Sequence, residues 1–498
     1  MKRIISLIFA AAIALSMFAC GNTPAEDGST VNATSAIDEQ SAAEGTTEPE
    51  RFTPNLPDAD FGGYNFRALV PTANTWATCT FAVESENGEI VNDAIFRRNM
   101  YVEEKYNVKL TQTEVQDFGQ LEGMFKKSVT SGSDDFDICV QIDRYAFSLA
   151  LGGYVMPIDQ LPYIDLTKPW YMHAVQDSIS IGGRYYVAES NENMSLYECT
   201  DVLFFNKQMV KDYDLESPYN LVKDGTWTYD KFFELCRAVV RDVDGDGKMT
   251  DTDIYGIASE DGILFRNFWE SSGIQSVVKD SDDYFVLNLD GNSRLAGILE
   301  KAHDNLFGGE KIYFAAGKDA AATFKPRNDD GNQDISLQQF QNNLALFYPA
   351  MLIRTANMRA METDFGILPY PKADLSQDRY YVRSGGGWPK VVPSTALNPE
   401  RTSIIMEALA AESRNTTVPA FKEINLKTKM ARDDESAEML DIIFNSGFGD
   451  VGTFLWLDIR ETLEKVVRDN NYTSVVERRA PTFEKNIKKA NESAVALQ

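Results

Sequence analysis

Tyr64-Asn-Phe-Arg-Ala-Leu-Val70 opens a stretch, ending at Ile142, in which three β-rich runs alternate with two helical ones. Residues 92–106 carry Ile95, Met100, Val102 and Tyr106 near helical spacing and stop at Asn107, and Val108-Lys-Leu-Thr-Gln-Thr113 follows as a strand. Residues 118–131 form the next helix, ended by Gly132, and Asp137-Ile-Cys-Val-Gln-Ile142 reads as a buried strand. A β-α-β-α-β order predicts an α/β fold with mostly parallel sheets covered by helices on both faces. Ligands of such sheets bind beyond the carboxyl ends of the strands, which places Asp143 and Arg144 at a pocket rim.

Working outward, Tyr185-Tyr-Val-Ala-Glu189 and Asp201-Val-Leu-Phe-Phe205 are expected strands leading into a second lobe. Thr226-Trp-Thr-Tyr-Asp opens a helix with a hydroxyl cap and an acidic first turn. Ala345-Leu-Phe-Tyr348 and Phe365-Gly-Ile-Leu-Pro369 are later strands, and helices are expected over 400–413, 418–429, 436–445 and 453–469.

Between the helix after Thr226 and the next segment lies Asp242-Val-Asp-Gly-Asp-Gly-Lys-Met-Thr-Asp-Thr-Asp253. Oxygen ligands fall at loop positions 1, 3, 5, 9 and 12, with glycine at 6, a spacing that suits a hard divalent cation wanting six to eight oxygens. Asp242, Asp244, Asp246 and Asp253 would supply carboxylates, Lys248 its carbonyl, and Thr250 a hydroxyl or a water-mediated contact. Calcium is the expected ion, in a bracing role; Asp in place of Glu at position 12 shortens the last arm.

The ends of the chain read differently. Lys2 and Arg3 precede an apolar run too short to span a bilayer comfortably, and Leu15-Ser-Met-Phe-Ala-Cys20 is similar to a bacterial lipobox. The expectation is a signal peptide over 1–19, lipidation of Cys20 and anchoring to the outer face of the cell membrane. Residues 20–57, rich in Ser, Thr, Ala, Glu and Asp, are expected to be a disordered tether. The remainder is too long for one core. A formal charge of −27 excludes a basic nucleic-acid groove and fits a neutral or cationic ligand. His173 and His303 are the only histidines, leaving little room for His-based catalysis or a zinc site. Cys79, Cys139, Cys199 and Cys236 are either disulfide-bonded or buried thiols.

Several passages, in order, resemble the family 1 extracellular solute-binding proteins, the carbohydrate-capturing subunits of ABC importers. They are Phe136-Asp-Ile-Cys-Val with Ala150-Leu-Gly-Gly-Tyr-Val-Met-Pro-Ile-Asp159, Gly182-Gly-Arg-Tyr-Tyr-Val-Ala, Leu203-Phe-Phe-Asn-Lys-Gln-Met209, Asp364-Phe-Gly-Ile-Leu-Pro-Tyr-Pro-Lys372 and Trp388-Pro-Lys-Val-Val-Pro. The resemblance implies a type II, periplasmic-binding-protein-like fold of two α/β lobes closing by a hinge on a ligand. By analogy, the first lobe would hold 58–185 and 340–430, and the second 186–339 (with the loop 242–253) and 431–498. It further implies a monomer without enzymatic activity that binds a sugar or oligosaccharide and delivers it to a permease.

Sugar sites combine flat aromatic faces with planar polar groups. Trp269, Tyr348, Trp388 and Trp456 are the candidate stacking residues; Asp143, Arg144, Glu189 and Asn191 are the candidate polar contacts. Acids near aromatics also suit a glycosidase carboxylate pair, so a secreted carbohydrate-active enzyme is the alternative.

Overall fold

The computed structural model describes residues 51–73, 77–79, 81–315, 334–359, 361–385, 387–427 and 434–498. The signal segment, Cys20 and most of the tether lie outside them. The tether's expected end does not: Arg51 is paired with Glu412, and the Phe52 N–H donates to Asn415 Oδ1 at 2.9 Å. The chain is thus docked from residue 51, earlier than its polar composition suggests, because Phe52 and Arg51 find partners on a distant helix end.

Strand β1 (Tyr64–Pro71) runs parallel to β2 (Val108–Val115) and β3 (Ile138–Val140), with crossover helices α1 (Ile90–Tyr106) and α2 (Phe118–Ser131). Local chemistry sets the helix ends. Asn107 stops α1 in the left-handed region at φ 48, the Asp117 side chain accepts from the Gln120 N–H at 2.7 Å to start α2, and Gly132 at φ 68 ends it. Helix α3 (Asp143–Leu151) follows β3 directly. On the far side of β3, β12 (Lys390–Val391) adds antiparallel, giving the order β12-β3-β1-β2. The stretch 185–189, expected as a strand, makes only the bridge Ala188 to Lys390 at this edge.

The second sheet takes β4 (Asp201–Asn206), β5 (Tyr255–Ser259), β8 (Tyr313–Ala315), β9 (Ala345–Met351) and β10 (Phe365–Leu368) in the order β10-β4-β9-β5-β8. Its β10–β4 and β4–β9 pairings are antiparallel, so this sheet is mixed where a mostly parallel one was expected. Strands β9 and β10, expected in the first lobe, pair into the sheet of β4, and β12 pairs into the sheet of β1. Two small ribbons complete the strands: β6 (Val277–Lys279) with β7 (Phe285–Leu287), and β11 (Val382–Arg383) parallel to β13 (Gly447–Phe448).

The first lobe's core gathers Phe66, Val102, Tyr106, Val140, Ile405 and Leu409; the second stacks Phe204, Tyr348 and Phe365. An apolar seam joins the lobes: Phe147 of α3 meets Phe285 at 5.7 Å, and Phe285 meets Trp456 edge-on at 5.6 Å. The helix expected over 453–469 is broken at Trp456 into Val451–Leu455 and Leu457–Asp469. A further helix, Tyr472–Ala496, contains Pro481 and lays Val476, Ala480, Phe483, Ile487, Ala490 and Ala494 on the core. Among the described residues no helix is long and apolar enough to cross a membrane, and all four cysteines are free thiols.

Candidate functional site

A cavity of about 260 Å³ opens where the lobes meet. From the first lobe, Ile142, Asp143 and Arg144 reach it at the carboxyl end of β3, as the sheet order requires. From the second come Arg266 on helix Asp261–Glu270, Met351 at the end of β9, and Leu457 and Arg460 on helix Leu457–Asp469. The crossing chain after β11 supplies Arg383 and Gly385, and Thr453 and Phe454 close the wall. A Cβ at Gly385 would overlap the Phe454 ring, so only glycine lets this aromatic lie against the crossing backbone.

Charge on the wall is organised in pairs. Arg266 Nε and Nη2 donate to Asp201 Oδ2 and Oδ1 at 2.7 and 2.8 Å, a bidentate fork, and Asn267 Nδ2 adds a third donor at 2.9 Å. Burial works to raise the Asp201 pKa, but the Arg266 and Arg383 guanidiniums overcome it, and the carboxylate stays below its ordinary range. Arg383 Nε lies 3.3 Å from Glu270 Oε2, its Nη1 donates to the Gly385 carbonyl at 2.8 Å, and its guanidinium sits over the Phe454 ring at 5.3 Å. Burial pushes Glu270 up to about 7 against the pull of Arg383. Arg460 Nε lies 3.3 Å from Glu464, and burial, then Arg266, lower its pKa. Arg144 rests over the Tyr145 ring at 5.1 Å and makes no ion pair among the described residues.

Of the residues singled out from the sequence, Asp143 and Arg144 line the cavity. Glu189 is buried behind it: it accepts from Asn193 Nδ2 at 3.1 Å, and burial followed by the charge of Asp143 raises its pKa. Asn191, also buried, donates to the Tyr197 hydroxyl at 2.8 Å. The aromatic candidates do not line this cavity. Trp269 is 0 % exposed in the second lobe. Tyr348 is stacked on Phe204 and Phe340 with its hydroxyl donating to Asp334 at 2.8 Å. Trp388 is buried edge-on to Phe118 and faces a separate small pocket beside Cys79 and Lys390. Trp456 is half-buried and lies in the apolar seam on Phe285. Each large ring gains more from the core than from a wet cleft. Arg266, Arg383 and Arg460 are not among the residues singled out from the sequence; Arg266 lies three residues before Trp269 in a largely apolar helix, which was the available signal.

The loop 242–253 hangs between helix Tyr229–Val239 and β5, its base closed by the Arg241–Ile254 bridge. Carboxylate oxygens of Asp242, Asp244 and Asp246 lie within 4.8 Å of one another, a donor set that fits a hard cation. Gly247 takes φ 81 at loop position 6, and its N–H donates to Asp242 Oδ2 at 2.8 Å. Asp253 does not join that cluster. It is 0 % exposed and accepts from the Val243 and Thr250 N–H groups at 2.8 and 2.6 Å, holding the loop's shape.

No family model matches the sequence, and neither does any curated protein. Solved structures do match in three dimensions. The sugar-binding protein MalE from Xanthomonas citri is 13 % identical, with a TM-score of 0.56 over 85 % of this chain and 98 % of that one. A cyclo/maltodextrin-binding protein complexed with maltotetraose is 14 % identical, with a TM-score of 0.53 over 87 % and 97 %. UgpB from Mycobacterium tuberculosis in complex with glycerophosphocholine is 15 % identical, with a TM-score of 0.52 over 87 % and 99 %. The chain therefore has the two-lobed α/β periplasmic-binding-protein fold of these structures.

Proposed function

We propose that the protein is an extracytoplasmic substrate-binding protein of an ABC importer that encloses a sugar or oligosaccharide between its lobes. The observation that carries this reading is one cavity walled by both lobes and by the chain crossing between them. A ligand touching both walls binds the closed arrangement better than the open one, which is the state a permease reads. The sugar-binding neighbours support the ligand class. Cys20 lipidation would hold the protein at the membrane near its permease, and a monomer suffices because both walls come from one chain. Incubation with an oligosaccharide panel tests the reading. The expected result is a raised melting temperature with the sugar recovered intact; released product would point to a carbohydrate-active enzyme instead.

Calcium belongs to the same proposal. Asp242, Asp244 and Asp246, with the Lys248 carbonyl and Thr250, would hold the ion, which supplies the positive charge that lets three neighbouring carboxylates share one turn. Chelator is expected to lower the melting temperature by a few degrees. Asp244→Ala should remove most of that sensitivity; identical melts with and without chelator in the unmodified protein would dismiss the ion.

A further inference from the structure

We infer that the captured saccharide is anionic, bearing a carboxylate, sulfate or phosphate that the cleft arginines receive. This rests on the sugar-capture reading above and narrows it. Arg144, Arg266, Arg383 and Arg460 line one cavity against a single lining carboxylate, Asp143. The chain as a whole carries a formal charge of −27, so four guanidiniums on one small wall run against its composition.

Their pairing is uneven. Arg266 is matched by the bidentate Asp201. Arg383 and Arg460 each have a carboxylate only at 3.3 Å from Nε, without a hydrogen bond between them, and Arg144 has no ion pair among the described residues. Arg144, Arg383 and Arg460 therefore line the cavity without a hydrogen-bonded carboxylate, though Arg383 Nη1 donates to the Gly385 carbonyl, and carboxylates and phosphates match a planar guanidinium.

Arg144 comes from the first lobe, Arg266 and Arg460 from the second. Of these, only Arg266 has a hydrogen-bonded carboxylate, so enclosing a neutral guest would desolvate Arg144 and Arg460 with incomplete compensation. An anion between them reverses that cost and makes closure depend on the ligand's charge.

The test uses the mature protein and calorimetry. Short oligogalacturonates, sulfated oligosaccharides and sugar phosphates are each titrated beside their uncharged counterparts, with inorganic phosphate and sulfate alone as controls. At least one charged saccharide is expected to bind about tenfold or more tightly than its neutral partner, with affinity falling as salt rises. Arg460→Gln and Arg144→Gln should each lower that affinity several-fold and flatten its salt dependence; an unchanged affinity and salt slope in both variants would overturn the charge inference. Neutral sugars binding as tightly as charged ones would overturn the charge inference and leave sugar capture standing. Inorganic anions binding as tightly as the sugars would overturn the saccharide. No response to any member would remove both readings.

Discussion

Asp201→Ala is expected to lower the free energy of unfolding by about 3–5 kcal/mol, read as a drop in the urea midpoint at unchanged slope. Asp201 is 0 % exposed and answers both forks of Arg266, which is 6 % exposed. Removing the carboxylate leaves a guanidinium buried with only the more distant charges of Glu270 and Glu464 to balance it. It also strands Asn267 Nδ2, one of whose donors is directed at Asp201 Oδ2. Asp201→Asn keeps one acceptor and should fall between. The double replacement Asp201→Leu with Arg266→Met should recover much of the loss, because removing both charges also removes their desolvation cost. A loss below about 1 kcal/mol in the single variant would mean that water from the adjacent cavity solvates Arg266 as well as the carboxylate does.

What could be read from the sequence was what local spacing controls. The first lobe's strands and helices fall where Tyr64, Asn107, Asp117 and Gly132 place them, since caps and turn residues act within a few positions. That β10 joins the sheet of β4 is not legible, because it depends on pairing Phe365–Leu368 with Leu203–Asn206, a contact that no local pattern encodes. The last helix escaped notice although Ala480, Phe483, Ile487, Ala490 and Ala494 recur at helical spacing; Pro481 reads as a breaker, yet the helix continues through it. At the site, position after a strand end sufficed for Asp143 and Arg144. Tryptophans carry no such marker, as a ring that stacks on a sugar and a ring that fills a core look alike in sequence. The cavity's arginines are explained only by three separated segments meeting, at residues 266, 383 and 460.

A second large effect concerns pH and lies away from the cleft. Glu407 is 2 % exposed and accepts from Trp170 Nε1 at 3.1 Å and from the Tyr171 hydroxyl. Burial pushes its pKa up to about 7, and those two hydrogen bonds offset only part of that. The folded protein therefore holds this proton more tightly than the unfolded chain, where the carboxyl titrates near its ordinary 4.5. Below about pH 4.5 both states are protonated and the group costs nothing. Between about pH 4.5 and 7 the unfolded state releases its proton first, so stability falls as pH rises, and above about 7 the loss is complete, on the order of 3 kcal/mol. Glu407→Gln cannot ionise and should not show this loss, so the variant's melting temperature, relative to the unmodified protein, should climb from pH 5 to about pH 7 and level off above it. The comparison isolates one residue from the many exposed carboxylates, whose contributions cancel between the two proteins. A difference that stays flat across this range would mean that Trp170 and Tyr171 keep Glu407 ionised throughout.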